Sequence, residues 1–179
     1  MKLNNLEDLF LDELRDIYHA EIQLTKALPK MIKMATCQHL RSGLESHLKE
    51  THGHVERLEE IFKLLKKPPK TKKCLAMEGL LSESKEVFDA QFETDDVRDA
   101  LIICMAQKIE HYEIASYGTL RAWAELMGLK EILRVINRTL AEEKSADEKL
   151  SELALLRTNS AANLADAPKI IVVETVETF

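Results

Sequence analysis

The stretch KIEHYEIASYGTL, residues 108–120, decides the fold. Its apolar residues recur at helical spacing, yet Glu110 and Glu113 sit three apart on the stripe that should be greasy, with Tyr117 one turn further on. Extended in both directions, that stripe reads Ile103, Ala106, Glu110, Glu113, Tyr117, Leu120, Ala124, Met127, with steps of three or four along one helical face. Thr94, Asp95 and Asp96 supply an N-terminal signal, and Gly128 a C-terminal stop.

Three more long helices follow from the same reading. The first, about residues 3–35, carries Leu6, Phe10, Leu14, Ile17, Glu21, Leu24, Leu28, Met31 and Ala35, with Pro29 as a candidate kink. The second, about residues 38–66, carries Leu40, His47, Glu50, His54, Leu58, Ile61 and Leu65. The helix after Gly128 runs to about residue 155 with Leu129, Leu133, Ile136, Leu140, Glu143, Asp147, Leu150 and Ala154. Between the second and third long helices lies KKPPKTKKCLA, residues 66–76, and then a short helix over about 77–91. Short turns join the first two helices and the last two, while roughly 30 residues separate the pairs. One long crossover of that kind predicts an all-α, ferritin-like four-helix bundle over residues 1–156. Residues 157–179 read as a separate tail, a polar linker followed by KIIVVETVETF, a run of strand propensity without an evident partner.

The interruptions of the four stripes are Glu21, Glu50 and His54, Glu110 and Glu113, and Glu143 and Asp147. Each falls roughly 11 to 18 residues into its helix, one layer at mid-bundle given a rise of about 1.5 Å per residue. Buried like charges need a concentrated positive charge, and two metal ions supply it. Carboxylate with a little imidazole suits iron first, with manganese or zinc as alternatives. Known di-metal bundles take one Glu from each of two helices and a Glu–His pair from each of the other two. Here Gly53 stands at the i+3 position after Glu50 and His54 at i+4, and Asp147 replaces an imidazole, so the expected site is rich in carboxylate. Tyr117 and His47 are candidates for residues supporting the ligands. His19, His39, His52 and His111 fall on outward faces, Cys104 reads as a buried small hydrophobe, and the crossover lysines as solvated.

HLKETHGHVERLEEIF, KIEHYEIASYGTL, TLAEEKSADEKLSELA and LEDLFLDELRDIYHAEIQLTKALPKM resemble the YciF/YciE family of ferritin-like bacterial proteins over about residues 5–155. The spacing from Glu110 to Tyr117 is also similar to the third-helix pattern of rubrerythrins and manganese catalases. The resemblance implies a homodimer, a role in bacterial stress response, and a rubrerythrin-like di-metal centre carried by position on Glu21, Glu50, His54, Glu110, Glu113, Glu143 and Asp147. It does not establish a reaction.

Composition narrows the alternatives. A net charge of −6 gives no global support for nucleic-acid binding, and 5% aromatics make a poor stacking platform. The N-terminus is acidic and amphipathic, no stretch has transmembrane length, and three scattered cysteines suit reduced thiols, so a cytoplasmic protein is expected. Three functions compete: peroxidase- or catalase-like turnover of peroxide or dioxygen, the former with an external electron donor and the latter with none, oxidation of ferrous iron or metal sequestration, and a non-catalytic, metal-stabilised stress or interaction module.

Overall fold

The structure, a computed structural model, describes residues 3–165. Six helices follow in order: α1 (Leu6–Met34), α2 (Gln38–Leu64), α3 (Leu75–Asp89), α4 (Asp95–Leu126), α5 (Lys130–Leu153) and, after a π-helical turn at Ala154–Thr158, α6 (Asn159–Ala165). No strand occurs among the described residues.

The helices start and stop where local chemistry directs. Asn5 Oδ1 accepts the Asp8 N–H at 2.8 Å to begin α1, and the Thr94 hydroxyl accepts the Val97 N–H at 3.4 Å to begin α4. α4 ends in a Schellman motif. Gly128 takes φ +68°, its N–H reaches the Glu125 carbonyl at 3.1 Å, and the Leu129 N–H reaches Ala124 at 2.9 Å. α2 closes the same way, with Lys66 at φ 55° in the position a glycine would ordinarily fill. α1 runs on past Pro29 to Met34 as one helix.

α1, α2, α5 and α4 form a ring, each packing against the next and α4 returning to α1. Neighbours run antiparallel. Asp99 near the start of α4 meets the end of α1, and His39 near the start of α2 meets Arg157 just past α5. The segment between α2 and α4 climbs the outside of the bundle, its Lys72 N–H bonded to the Arg15 carbonyl at 3.0 Å and α3 lying on α1 and α4. This is the ferritin-like arrangement that the connection lengths predict.

Two readings change on contact with the structure. Cys104 is exposed, because the α4 seam runs through Ile102, Ile103, Met105 and Ala106 and leaves position 104 outward. The polar stretch after residue 156 continues as helix to Ala165 along α4, whereas KIIVVETVETF lies outside the described residues. His19 is half-buried and accepts the Cys74 N–H at 3.1 Å, tying the crossover to α1.

The turn between α1 and α2 is held from across the bundle. The carboxylate of Asp99, 1% exposed, accepts from the Thr36 N–H (2.9 Å), the Thr36 hydroxyl (2.7 Å) and the Cys37 N–H (2.6 Å). Replacing it orphans two backbone donors as well as the hydroxyl. Asp99→Ala is expected to cost about 2–3 kcal/mol, measured by urea unfolding. A loss below about 1 kcal/mol would show that solvent replaces the clamp.

Candidate metal centre

At mid-bundle four helices direct polar side chains inward. α1 contributes Glu21 between Ile17 and Leu24, α2 contributes His47 and His54, α4 Glu110 and Glu113, and α5 Glu143. Glu21, His54, Glu113 and Glu143 are fully buried, Glu110 is 2% exposed and His47 6%. Two groups form. His47, Glu110, Glu113 and Glu143 offer ligand atoms all within 4.8 Å of one another, and so do Glu21, His54 and Glu143. Glu143 belongs to both.

The residues fit metal ions on a specific observation. Glu21 Oε2, His47 Nδ1, Glu110 Oε2, both carboxylate oxygens of Glu113 and Glu143 Oε2 are buried without a hydrogen-bond partner on the protein. His47 Nε2 and His54 Nδ1 meet carboxylates of the cluster itself, His47 Nε2 lying 3.2 Å from Glu110 Oε1. Such atoms are rare in native interiors, because each forfeits its hydration. A cluster of acceptors with converging vacant lone pairs is the donor set that hard or borderline divalent cations take.

Electrostatics points the same way. Burial, reinforced by the neighbouring carboxylates, drives the Glu110 and Glu113 carboxyls well above the usual range. Burial also lifts Glu143 to about 7, against the pull of His54. Burial opposes charge on His54, but Glu21 and Glu143 outweigh it and hold the imidazole up at about 10. His54 Nδ1 lies 2.9 Å from Glu143 and 3.3 Å from Glu21. In the protein alone, this imidazolium is the only cation that the described residues place inside the cluster. His47, pushed down to about 3 by burial and by the charges of His54 and Lys149, adds none.

The far nitrogen of His54 has its own partner. Nε2 lies 3.1 Å from Glu142 Oε2, and that carboxylate is held by Arg57 and by Arg138 Nε at 3.1 Å. Arg57 is fixed in turn by the Thr139 hydroxyl at 2.8 Å. A carboxylate behind a histidine sets which nitrogen faces the metal and raises its basicity. Here it presents Nδ1 to Glu21 and Glu143. Tyr117, buried beside them, donates to Glu21 Oε1 at 2.5 Å and so orients the other carboxylate of that group.

Not every residue expected at the layer reaches it. Glu50 has a 31% exposed side chain, and its carboxylate approaches only His47, at 3.9 Å. Asp147 turns toward α4, accepting from Gln107 at 3.1 Å and lying 3.4 Å from His111. Neither belongs to a ligand group among the described residues. The inward seam of α2 passes through His47, Thr51 and His54, and that of α5 through Thr139, Glu143, Ala146 and Leu150. Glu50 and Asp147 sit to the side of those seams. His47, expected to support the site, stands in a ligand group instead. Glu142, Arg57 and Arg138 were missed. The available signal was that His54 needs a partner for its second nitrogen, and that Glu142 directly precedes Glu143.

Two predictions come from this geometry. Glu143→Ala, which removes the residue common to both groups, should abolish binding of both ions, whereas Glu50→Ala should retain two per chain. Elemental analysis checks both, and loss of metal in Glu50→Ala would return that residue to the site. The second concerns pH. The raised Glu143 and His54 values mean that above about pH 6.5 the metal-free folded state holds protons that the unfolded chain has released. His47, depressed, acts with the opposite sign only below that point. Metal-free protein should therefore lose stability as pH rises from about 6.5 to 10, and Tm across that window measures it. Divalent metal should raise Tm most at the alkaline end, where the ligands give up protons at least cost.

The comparisons with known proteins agree with this architecture. The chain is 43% identical over 163 residues to protein YciF of Escherichia coli strain K12, across 90% of this chain and 98% of that one. The crystal structure of that protein, described as a stress protein, superposes with a TM-score of 0.83 over 88% of this chain and 99% of its own. YcfI from Rhodopseudomonas palustris superposes with a TM-score of 0.81 at 48% identity, over 84% of this chain and 95% of that one. The model of the family described as "Domain of unknown function (DUF892)" matches residues 5–163, and the chain belongs to that family.

Proposed function

We propose that the buried cluster holds two metal ions, iron first with manganese as the alternative, and that the protein reduces peroxide or dioxygen; zinc, which has no redox chemistry, would serve only the stabilising role. The observation that carries this reading is the two converging groups of buried donor atoms on Glu21, His47, His54, Glu110, Glu113 and Glu143, several of them without a hydrogen-bond partner on the protein. Four carboxylates and two imidazoles form the ligand complement of di-metal bundles, which supports a dinuclear centre over a single ion. By the groups above, Glu21 and His54 would hold one ion and His47, Glu110 and Glu113 the other, with Glu143 within reach of both.

When bound, such a pair supplies electrons to a substrate O–O bond and stabilises the oxygens that its cleavage charges. The chain's own side chains do the rest. Glu142 and its two arginines keep His54 in one orientation. Tyr117 holds a hydrogen bond to Glu21 in a fully dry setting, a proton at a fixed place beside the reacting region. The bundle excludes bulk water on the α1 side, where Leu14, Ile17, Leu24 and Leu28 are essentially fully buried. A peroxidase-like cycle would draw its electrons from a separate donor, whereas in a catalase-like cycle peroxide would serve as both oxidant and reductant.

The relation to a stress protein supports defence against peroxide, while the description of the Rhodopseudomonas palustris neighbour as a structural protein supports a structural role. The competing reading, a metal that only stabilises the fold, also draws on the uncompensated buried charge. Elemental analysis of protein prepared without chelators, followed by peroxide consumption with a reductant present, separates them. About two ions per chain with turnover is the expected result. Two ions and a raised Tm without turnover would favour the stabilising role, and no uptake after anaerobic ferrous and manganous loading would end both readings.

A further inference from the structure

A cavity of about 450 Å³ opens between the first turns of α2 and the last turns of α5 and ends at the candidate centre. Its walls are Leu40, Leu44, Leu150 and Leu153, and its floor is His47 and Glu110. Lys149 and Arg157 stand among the lining residues, and neither makes an ion pair among the described residues. Arg157 approaches His39 at 2.8 Å on the outer side. The volume is that of a small-molecule site, which ordinarily falls in the range of about 300–1,000 Å³. Hydrogen peroxide alone needs a passage little wider than water, and as a polar molecule gains nothing from a chamber lined with leucine.

One further detail separates this cavity from a packing fault. The floor carries buried polar atoms without a hydrogen-bond partner on the protein, Glu110 Oε2 and His47 Nδ1, on side chains that are 2% and 6% exposed, while His47 Nε2 lies 3.2 Å from Glu110 Oε1.

We propose that this cavity receives an organic hydroperoxide, its apolar body against the leucine walls and its peroxide end at the His47–Glu110 floor. The assignment rests on the peroxide-reducing reading above and narrows its substrate class. In the reaction ROOH takes up two electrons and two protons, its O–O bond breaks, and ROH and water leave. A reduced electron carrier supplies the electrons and solvent the protons. Lys149 and Arg157 favour bodies that carry a negative group at the outer end.

The test pairs binding with turnover in the full chain. Gly43→Phe fills the chamber, and Leu156→Glu puts a charge on a wall residue that is 72% exposed, so the latter leaves the core untouched. The binding probe is 1-anilinonaphthalene-8-sulfonate, displaced by cumyl alcohol. Both variants should weaken probe binding about tenfold or more, with circular dichroism unchanged. In metal-loaded protein with a reduced dye as donor, the KM for cumene hydroperoxide should lie at least tenfold below that for hydrogen peroxide. The variants should raise that KM about tenfold. Probe binding unaffected by both variants would overturn the cavity as a ligand site. Hydrogen peroxide consumed as well as the organic substrate would overturn the substrate class while leaving peroxide reduction standing. If neither peroxide is consumed, the functional reading fails and the hydroperoxide assignment falls with it.

Discussion

Four carboxylates and two imidazoles packed into one dry layer place a severe electrostatic demand on this bundle. Without a metal, the only positive charge that the described residues place within the cluster is the His54 imidazolium, and burial works against even that. Part of the demand is met by protonation, since Glu110, Glu113 and Glu143 hold their protons more tightly than exposed carboxyls do. The remainder is the vacant coordination capacity of atoms that find no partner on the protein. A site built this way is preorganised for cations at the expense of the metal-free fold, which is the usual exchange between stability and function at a dry polar site.

The surrounding structure restrains that layer from several sides. The closed ring of antiparallel neighbours brings the midpoints of four helices to one level, and apolar residues above and below the layer exclude water. Asp99 anchors the turn between α1 and α2 from α4, so the relative height of Glu21, His54 and Glu110 is set by hydrogen bonds at the bundle end as well as by packing. Glu142, with Arg57 and Arg138, fixes the imidazole plane from the partly exposed side. Among the described residues, a cavity of size reaches the layer from the side of α5 and the start of α2, where His47 and Glu110 face its leucine walls. The centre is therefore asymmetric, with a closed side at Glu21 and His54 and an accessible side at His47 and Glu110.

The ligand complement matches the count found in di-metal bundles but is distributed differently. Both histidines come from α2, seven residues apart, and α4 supplies two glutamates, so no helix carries a Glu–His pair at i, i+3. Seven residues are two turns, which keeps His47 and His54 on one seam with Thr51 between them. Thr51 closes its own hydroxyl onto the His47 carbonyl at 2.8 Å and makes no demand on the site.

Much of this was legible in the order of residues. The spacing of apolar positions marks the helices to within a few residues, because burying a face every 3.6 residues is a local requirement. The long interval between Leu64 and Asp95 fixes the crossover, since a short loop cannot span a bundle. Polar interruptions mark the layer, because a buried carboxylate is conspicuous among leucines. What sequence spacing could not decide is which of two acidic or basic neighbours on a helix turns inward. Residues three and four apart straddle the seam by tens of degrees on either side, and the choice between them depends on where the adjacent helices lie. Packing against α5 and α4 turned His47 in and Glu50 to the mouth. Packing against α4 left Asp147 to Gln107 and His111. Glu142, off the stripe altogether, gained its place behind His54 only because α2 and α5 lie side by side, and that adjacency exists only in three dimensions.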